Sequence, residues 1–184
     1  LSDPRQQERC ENIIRETKPT LLVGSPMCRA FSRLMELNVG KMSRDRYLEL
    51  VTSCMEHLKF AFKMYHLQWS ENRYLLHEHP DGAWSWQLDF VREMERLIGV
   101  MRVTGDQCPF NQQSVDLEGP GLVLKPTGWM GNAPCIMEEV SRRCSNRGKP
   151  REQWHRHFPW MNGRARAAES YPPMLVAAIL RGLR

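Results

Sequence analysis

The chain reads as an α/β domain built on a parallel sheet, on three observations. Short apolar runs at Thr20–Val23, Tyr74–Glu78 and Val100–Thr104 have the length of buried strands. The stretches between them carry apolar residues at three- and four-residue steps, the pattern of amphipathic helices. Strand, helix, strand, helix, strand is the order of a sheet whose parallel strands are joined by helical crossovers. At 184 residues, 41% hydrophobic and 26% charged, the composition is that of one globular domain rather than a disordered segment.

Taken in order, residues 5–17 form a charged amphipathic helix that ends before Lys18-Pro19. The first strand is bounded by Pro19 and Gly24, and Gly24-Ser25-Pro26 breaks it just before Cys28. Residues 44–68 make the clearest helix, with Tyr47, Val51, Cys54, Met55, Leu58, Phe62 and Tyr65 on one face. The second strand is stopped by Pro80. Residues 85–98 are again helical, with Trp86, Phe90, Met94 and Leu97 on one side. After the third strand, Leu122–Lys125 and Gly128–Met130 read as shorter extended pieces, 134–144 as a helix and 145–163 as a polar, basic loop. Pro172-Pro173 opens a last helix through Leu183, with proline suited to the first turn. There is no internal repeat and no low-complexity tract.

The formal charge is +5 and the pI about 9.0. Much of the excess comes late, at Arg142, Arg143, Arg147, Lys149, Arg151, Arg156, Arg164, Arg166, Arg181 and Arg184. Such a stretch can attract a polyanion, although most mildly basic domains bind no nucleic acid, so charge alone leaves the partner open. No apolar run reaches the ~20 residues of a membrane helix, and the N-terminus is not a secretory signal, so no membrane partner is expected. The chain opens on Leu1 rather than Met and reads as a piece of a longer polypeptide or as an incomplete gene model.

Six cysteines, at 10, 28, 54, 108, 135 and 144, form no CxxC pair, which suggests free thiols in a reducing compartment, nuclear or cytoplasmic. Cys54 falls on a helix face as a small core residue. Cys135, Cys144, His155 and His157 could form a zinc site, but their spacing matches no standard module, and scattered structural residues explain them as well. No metal ligand is assigned. His77 and His79 are read as pointing to opposite sides of their extended segment and so as a poor metal pair. Trp84 and Trp86 could stack on a base, with helix packing the plainer role.

In a parallel sheet the chemistry gathers in loops after the carboxyl ends of strands, which here means Ser25–Arg29 and Glu78–Pro80. Cys28 follows the first strand at the start of a helical turn. Backbone N–H groups and Arg29 are expected to favour its thiolate there; a buried structural cysteine is the alternative.

The segment Val23-Gly24-Ser25-Pro26-Met27-Cys28, followed by Phe31-Ser32, resembles the catalytic loop of cytosine-C5 DNA methyltransferases. Three more segments follow in that family's order. They are Leu76-His77-Glu78-His79-Pro80, then Leu124-Lys125-Pro126-Thr127-Gly128-Trp129, and Arg164 to Leu180 with Tyr171-Pro172-Pro173-Met174-Leu175-Val176. The variant forms look closer still to methyltransferase-like segments embedded in retroelement-type polyproteins of algae and other microbial eukaryotes. The resemblance spans roughly residues 20–182.

It implies a partial Rossmann-like methyltransferase sheet with its later strands and flanking helices, the first strands missing. Residues 1–184 would be a single incomplete domain: a catalytic-loop core at 1–130, a basic loop region at 131–163 and a C-terminal helix at 164–184. Cys28 would be the nucleophile adding to C6 of a flipped cytosine, and Glu78 the acid at N3. Ser32, Lys125, Thr127, Arg164 and Arg166 would contact substrate or phosphate. Ser25, Pro26 and Pro173 would flank S-adenosylmethionine, and the last helix would close over that cofactor. The implied partner is nucleic acid, DNA ahead of RNA, together with other segments of a longer polypeptide.

Three departures bear on activity. Met27 stands where the family has proline, and His79-Pro80 where it has Asn-Val. No GxG turn to cradle the cofactor occurs anywhere, so most of the cofactor pocket is expected to be absent. A sheet lacking its first strands would expose an apolar edge and favour self-association. Residues 131–163 are too few for a large target-recognition region. The alternative function is a non-catalytic nucleic-acid-binding domain of a mobile-element polyprotein.

Overall fold

The computed structural model describes residues 3–116, 119–158 and 170–184. Helix α1 (Pro4–Thr17) starts from Asp3, whose carboxylate accepts the Arg5 N–H at 2.9 Å, and stops at Lys18 in the left-handed region. Strand β1 (Leu21–Gly24) leads through a 3-10 turn (Arg29–Phe31) into α2 (Arg33–Val39). The long helix α3 (Arg44–Ser70) is capped by the Ser43 hydroxyl and returns the chain to β2 (Tyr74–Pro80). A 3-10 turn (Trp84–Gln87) and α4 (Asp89–Glu95) precede β3 (Met101–Asp106). Then come the 3-10 turn Cys108–Phe110 and a hairpin of β4 (Gln113–Asp116) with β5 (Gly119–Leu122). Strand β6 (Pro126–Gly131), α5 (Pro134–Val140), a 3-10 turn (Arg151–Gln153) and α6 (Pro173–Gly182) complete the described chain.

The main sheet has the order β1-β2-β6-β3. Strand β1 runs parallel to β2, but β6 is antiparallel to both β2 and β3. The fold is therefore mixed α/β: the three expected strands β1, β2 and β3 run in one direction, and β6, inserted between β2 and β3, makes the sheet mixed rather than parallel. Two of the three strands expected from apolar runs are joined as parallel neighbours, and the third is separated from them by a later strand. The short pieces near Leu122 and Gly128 gave no sign of pairing direction, because alternation along a strand is the same in either sense. Residues 85–98 likewise divide into a 3-10 turn and α4 instead of one helix.

Helices cover both faces. On one face Cys54, Leu58, Phe62 and Tyr65 of α3 pack with Leu75, Trp86, Val91, Met94 and Met130. The opposite face sets Leu76 and Trp129 against Ile136, Met137 and Val140 of α5 and Leu175, Ala178 and Ile179 of α6. Successive β2 residues thus alternate between two cores, which explains its unbroken buried run from Leu75 to His79. Cys54 is fully buried in the first core, as a small apolar filler. Trp84 and Trp86 also belong to packing: Trp84 donates to the Ala30 carbonyl at 3.1 Å, and Trp86 to that of Pro80 at 2.8 Å. A separate cluster of Phe60, Met64 and Ile14 fastens α1 to α3.

Gly105 allows the closest approach in this framework. A Cβ there would lie 1.9 Å from the Val140 carbonyl oxygen at the end of α5. Gly105→Ala is expected to lower stability by on the order of 1–3 kcal/mol, measured as a drop in the urea midpoint. Gly40→Ala, where an added Cβ meets nothing within 4 Å, should leave that midpoint within error.

Candidate functional site

Cys28, Glu78 and Lys125 meet at one end of the sheet, and each arrives for a different reason. Gly24 closes β1 against α3: a Cβ at this position would lie 2.0 Å from the Tyr65 hydroxyl oxygen. The chain then turns through Ser25 and Pro26, and Cys28 caps the 3-10 turn. Glu78 sits near the carboxyl end of the adjacent parallel strand, directly opposite Trp129 of β6. Lys125 immediately precedes β6. Because β6 is reversed, its start lies beside the end of β2, where Asp81 N–H donates to the Pro126 carbonyl at 3.1 Å. The Lys125 ammonium is 3.2 Å from Glu78 Oε1, and both side chains are largely buried. That oxygen has no hydrogen bond of good geometry among the described residues, so the contact is an ion pair with capacity left for a further donor.

Burial pushes the Cys28 thiol up, the charge of Glu78 adds to the rise, and Lys125 opposes it. This corrects the expectation of a thiolate favoured by a helix N-terminus and Arg29. The turn after Cys28 is only three residues of 3-10 helix. The charge of Arg29 acts on Cys54 instead. At rest Cys28 is a protonated thiol, and a substrate or base must draw off its proton before it can attack.

A buried polar layer supports the loop from beneath. His79 Nε2 lies 3.2 Å from the Pro26 carbonyl oxygen, and its Nδ1 2.7 Å from the Ser85 hydroxyl. The ring thus ties β2 to the turn before Cys28. Burial holds the His79 pKa down at about 4, with the nearby Lys125 charge acting in the same direction. His77 Nδ1 is 3.2 Å from the Tyr65 hydroxyl, and burial holds this imidazole neutral as well. The two rings are 4.9 Å apart, on the same side of β2, because residues two apart on a strand share a face. The reading of opposite sides is corrected on that ground.

The remaining expected positions divide. Ser25 is hydrogen bonded through its hydroxyl to Tyr171, whose ring also packs against Trp129. Burial and the Glu78 charge push the Tyr171 hydroxyl's pKa up. The segment before α6 therefore reaches the side of the sheet that carries the Ser25–Cys28 loop. Pro26 is buried and Pro173 is exposed at the first turn of α6. The Ser32 hydroxyl donates back to the Arg29 carbonyl at 3.3 Å. Thr127 is fully buried, donates to the Lys125 carbonyl at 3.0 Å and accepts from Gln107 Nε2 at 3.2 Å, so it braces the Lys125 segment. Arg164 and Arg166 lie outside the described residues. Tyr65, Tyr171 and His79 were legible only as a helix face, part of a motif and a departure from one; nothing in their spacing marks them as neighbours of Cys28 and Glu78.

Of the four residues considered for a metal, Cys144, His155 and His157 do come together, with Cys108 in the place of Cys135. Cys108, Cys144, His155 and His157 bring one ligand atom each to within 4.8 Å of one another. Cys135 is exposed on α5 and takes no part. Cys108 follows the carboxyl end of β3, the position at which β1 and β2 present Cys28 and Glu78. Applied to the third strand, the same rule would have found it. No helix among the described residues is long and apolar enough to cross a membrane.

His79 gives the site a pH dependence. Its unfolded imidazole protonates near the ordinary value of 6.5, whereas the folded one resists until about 4. Stability contributed above pH 6.5 is therefore lost as pH falls through that window, by on the order of 3 kcal/mol for this residue. Urea midpoints taken between pH 7 and pH 4.5 should fall accordingly, and less steeply in His79→Gln. Compared with known proteins, the chain matches no family model, no curated protein and no solved structure.

Proposed function

We propose that this chain is the nucleobase-handling part of a cytosine-C5 methyltransferase-like domain acting on DNA, with β1, β2, β6 and β3 as later strands of a Rossmann-like methyltransferase sheet. The observation that carries the reading is the meeting of Cys28, Glu78 and Lys125 at the carboxyl ends of two adjacent parallel strands. A thiol and a buried carboxylate brought together there suit two opposite atoms of one pyrimidine ring, C6 and N3. Cys28 Sγ adds to C6 as its proton passes to solvent, N3 takes up one proton from solvent, and the Glu78 carboxylate accepts that N3–H so that the ring can take the electron pair. Lys125 keeps the Glu78 charge compensated until the base arrives. Such an atom is out of reach in a stacked duplex, so the substrate base must be flipped or single-stranded.

S-adenosylmethionine is the methyl donor that the resemblance implies, and two of the three positions matched to it have a polar group engaged within the chain. The Pro26 carbonyl is engaged by His79, the Ser25 hydroxyl by Tyr171, and Pro173 lies on the surface of α6. The described residues fit the nucleobase and not the cofactor, so no methyl-transfer step is assigned to them.

A second reading, a non-catalytic nucleic-acid-binding domain of a mobile-element polyprotein, is favoured by the protonated state of Cys28 and by the basic carboxyl half. Hydrogen exchange separates the two without a methyl donor. Addition of Cys28 at C6 and of a proton at C5, followed by loss of the original C5 hydrogen and expulsion of the thiolate, exchanges that hydrogen with solvent. The first reading expects release of tritium from C5-labelled cytosine in single-stranded DNA. Cys28→Ser should abolish it, and Glu78→Gln should slow it by on the order of 10²–10⁴-fold. Salt-sensitive DNA binding with no exchange, unchanged by Cys28→Ser, would select the second reading.

A further inference from the structure

The structure assigns a second, separate site: we infer that Cys108, Cys144, His155 and His157 bind one zinc ion in a closed tetrahedral Cys2His2 centre at the carboxyl end of β3. Cys144 Sγ lies 3.5 Å from His155 Nε2 and 3.4 Å from His157 Nε2. Zinc bonds of about 2.3 Å to sulfur and about 2.0–2.1 Å to nitrogen place an S···N tetrahedron edge at about 3.5 Å. The two imidazole nitrogens are 2.8 Å apart and need to part by about half an ångström to receive the ion. Both histidines aim the same nitrogen, Nε2, at the point that the thiols face, and their ring planes are perpendicular. Four ligand atoms of the soft and borderline classes, with no carboxylate among them, select zinc over magnesium or calcium. All four coordination positions are filled by the chain, which makes the centre structural rather than catalytic.

The surroundings are arranged to support ligands. Asn146 N–H donates to Cys144 Sγ at 3.4 Å and so orients that ligand atom. The Asn146 side chain holds the His155 backbone from both sides, accepting from its N–H at 3.0 Å and donating to its carbonyl at 2.9 Å. His157 is bridged to Leu122 at the end of β5, with the Phe158 N–H donating to the Leu122 carbonyl at 2.9 Å. The buried Asp106 carboxylate accepts the Cys144 N–H at 2.8 Å and forms an ion pair with the Arg143 guanidinium at 3.1 Å, fixing the turn that carries Cys144. Three remote segments, the end of β3, the turn after α5 and the strand-like piece at 155–157, are thereby joined through one ion. Binding displaces one proton from each thiol to solvent, so two thiolates balance the 2+ charge and the centre is neutral.

The chain purified under reducing conditions should retain about one zinc ion through gel filtration. Cobalt added to the metal-free chain should give tetrahedral ligand-field bands with thiolate charge transfer, displaced by zinc. Cys108→Ser and Cys144→Ser should weaken that charge transfer, while Cys135→Ser leaves it intact. Should the serine variants fail to fold, the unaltered chain still decides: zinc at about a hundredfold excess over its dissociation constant should raise Tm by roughly 5–10 °C over the chelated form. A cobalt spectrum without thiolate bands, a spectrum unaffected by Cys144→Ser, or a Tm indifferent to chelator would each overturn the assignment. So would a Cys108–Cys144 disulfide in the reduced preparation.

Discussion

Strand β6 runs against both of its neighbours, and much of the arrangement at the functional end of the sheet follows from that reversal. A parallel strand in the same place would deliver its first residue to the opposite end, remote from the loops after β1 and β2. Reversed, it sets Lys125 beside Glu78 and lets Thr127 reach the Gln107 side chain at the end of β3. The hairpin of β4 and β5 is the physical means, since it carries the chain out from β3 and back to enter the sheet from the other direction. Gly128 and Gly131 keep β6 thin where Trp86 and the Leu75 carbonyl approach it.

Burial then sets the chemical character of what has been gathered. Glu78, His77 and His79 all lie within the sheet and are almost wholly excluded from solvent. The imidazoles stay neutral there, because charging them would strand a cation in a low dielectric. Glu78 has a compensating ammonium in Lys125, an arrangement in which the partner limits the desolvation cost of the charge. Cys28 sits at the rim of this layer, and its thiol holds its proton for the same reason that the imidazoles refuse theirs. A resting thiol, a neutral histidine brace and a paired carboxylate are mutually consistent in so dry a site.

The basic carboxyl half is less exposed as free charge than its composition suggests. Asp106 takes ion pairs from Arg143 and Arg147, and Glu139 pairs with Arg142 and Arg181. Part of the positive excess thus holds the turn after α5 against β3, beside Cys144, rather than standing as a surface for a polyanion. The exposed arginine-rich stretch is in this respect also a structural arm.

Local sequence was sufficient for α1, α3 and α6 and for the strands that precede Cys28 and contain Glu78, since each rests on apolar periodicity or on proline and glycine at the boundaries; α2 and the break between residues 84–87 and α4 were not legible in it. It also singled out Cys28 and Glu78, because residues at strand ends are readable in one dimension, whereas Lys125 was marked only by the resemblance of Leu124–Trp129 to a family segment. Pairing direction was not readable in this way: alternation along β6 is indifferent to whether its neighbours run with it or against it. Nor could spacing distinguish Cys108 from Cys135, which lie on different sides of a long excursion through β4, β5 and β6. The thiol's protonation was equally closed to inspection, because it depends on burial and on the charges of residues as distant as Glu78 and Lys125. The sequence by itself determined which residues could react and where the chain would turn. Only the tertiary structure decided which of them meet and in what charge state, because contact and desolvation arise between segments and not along them.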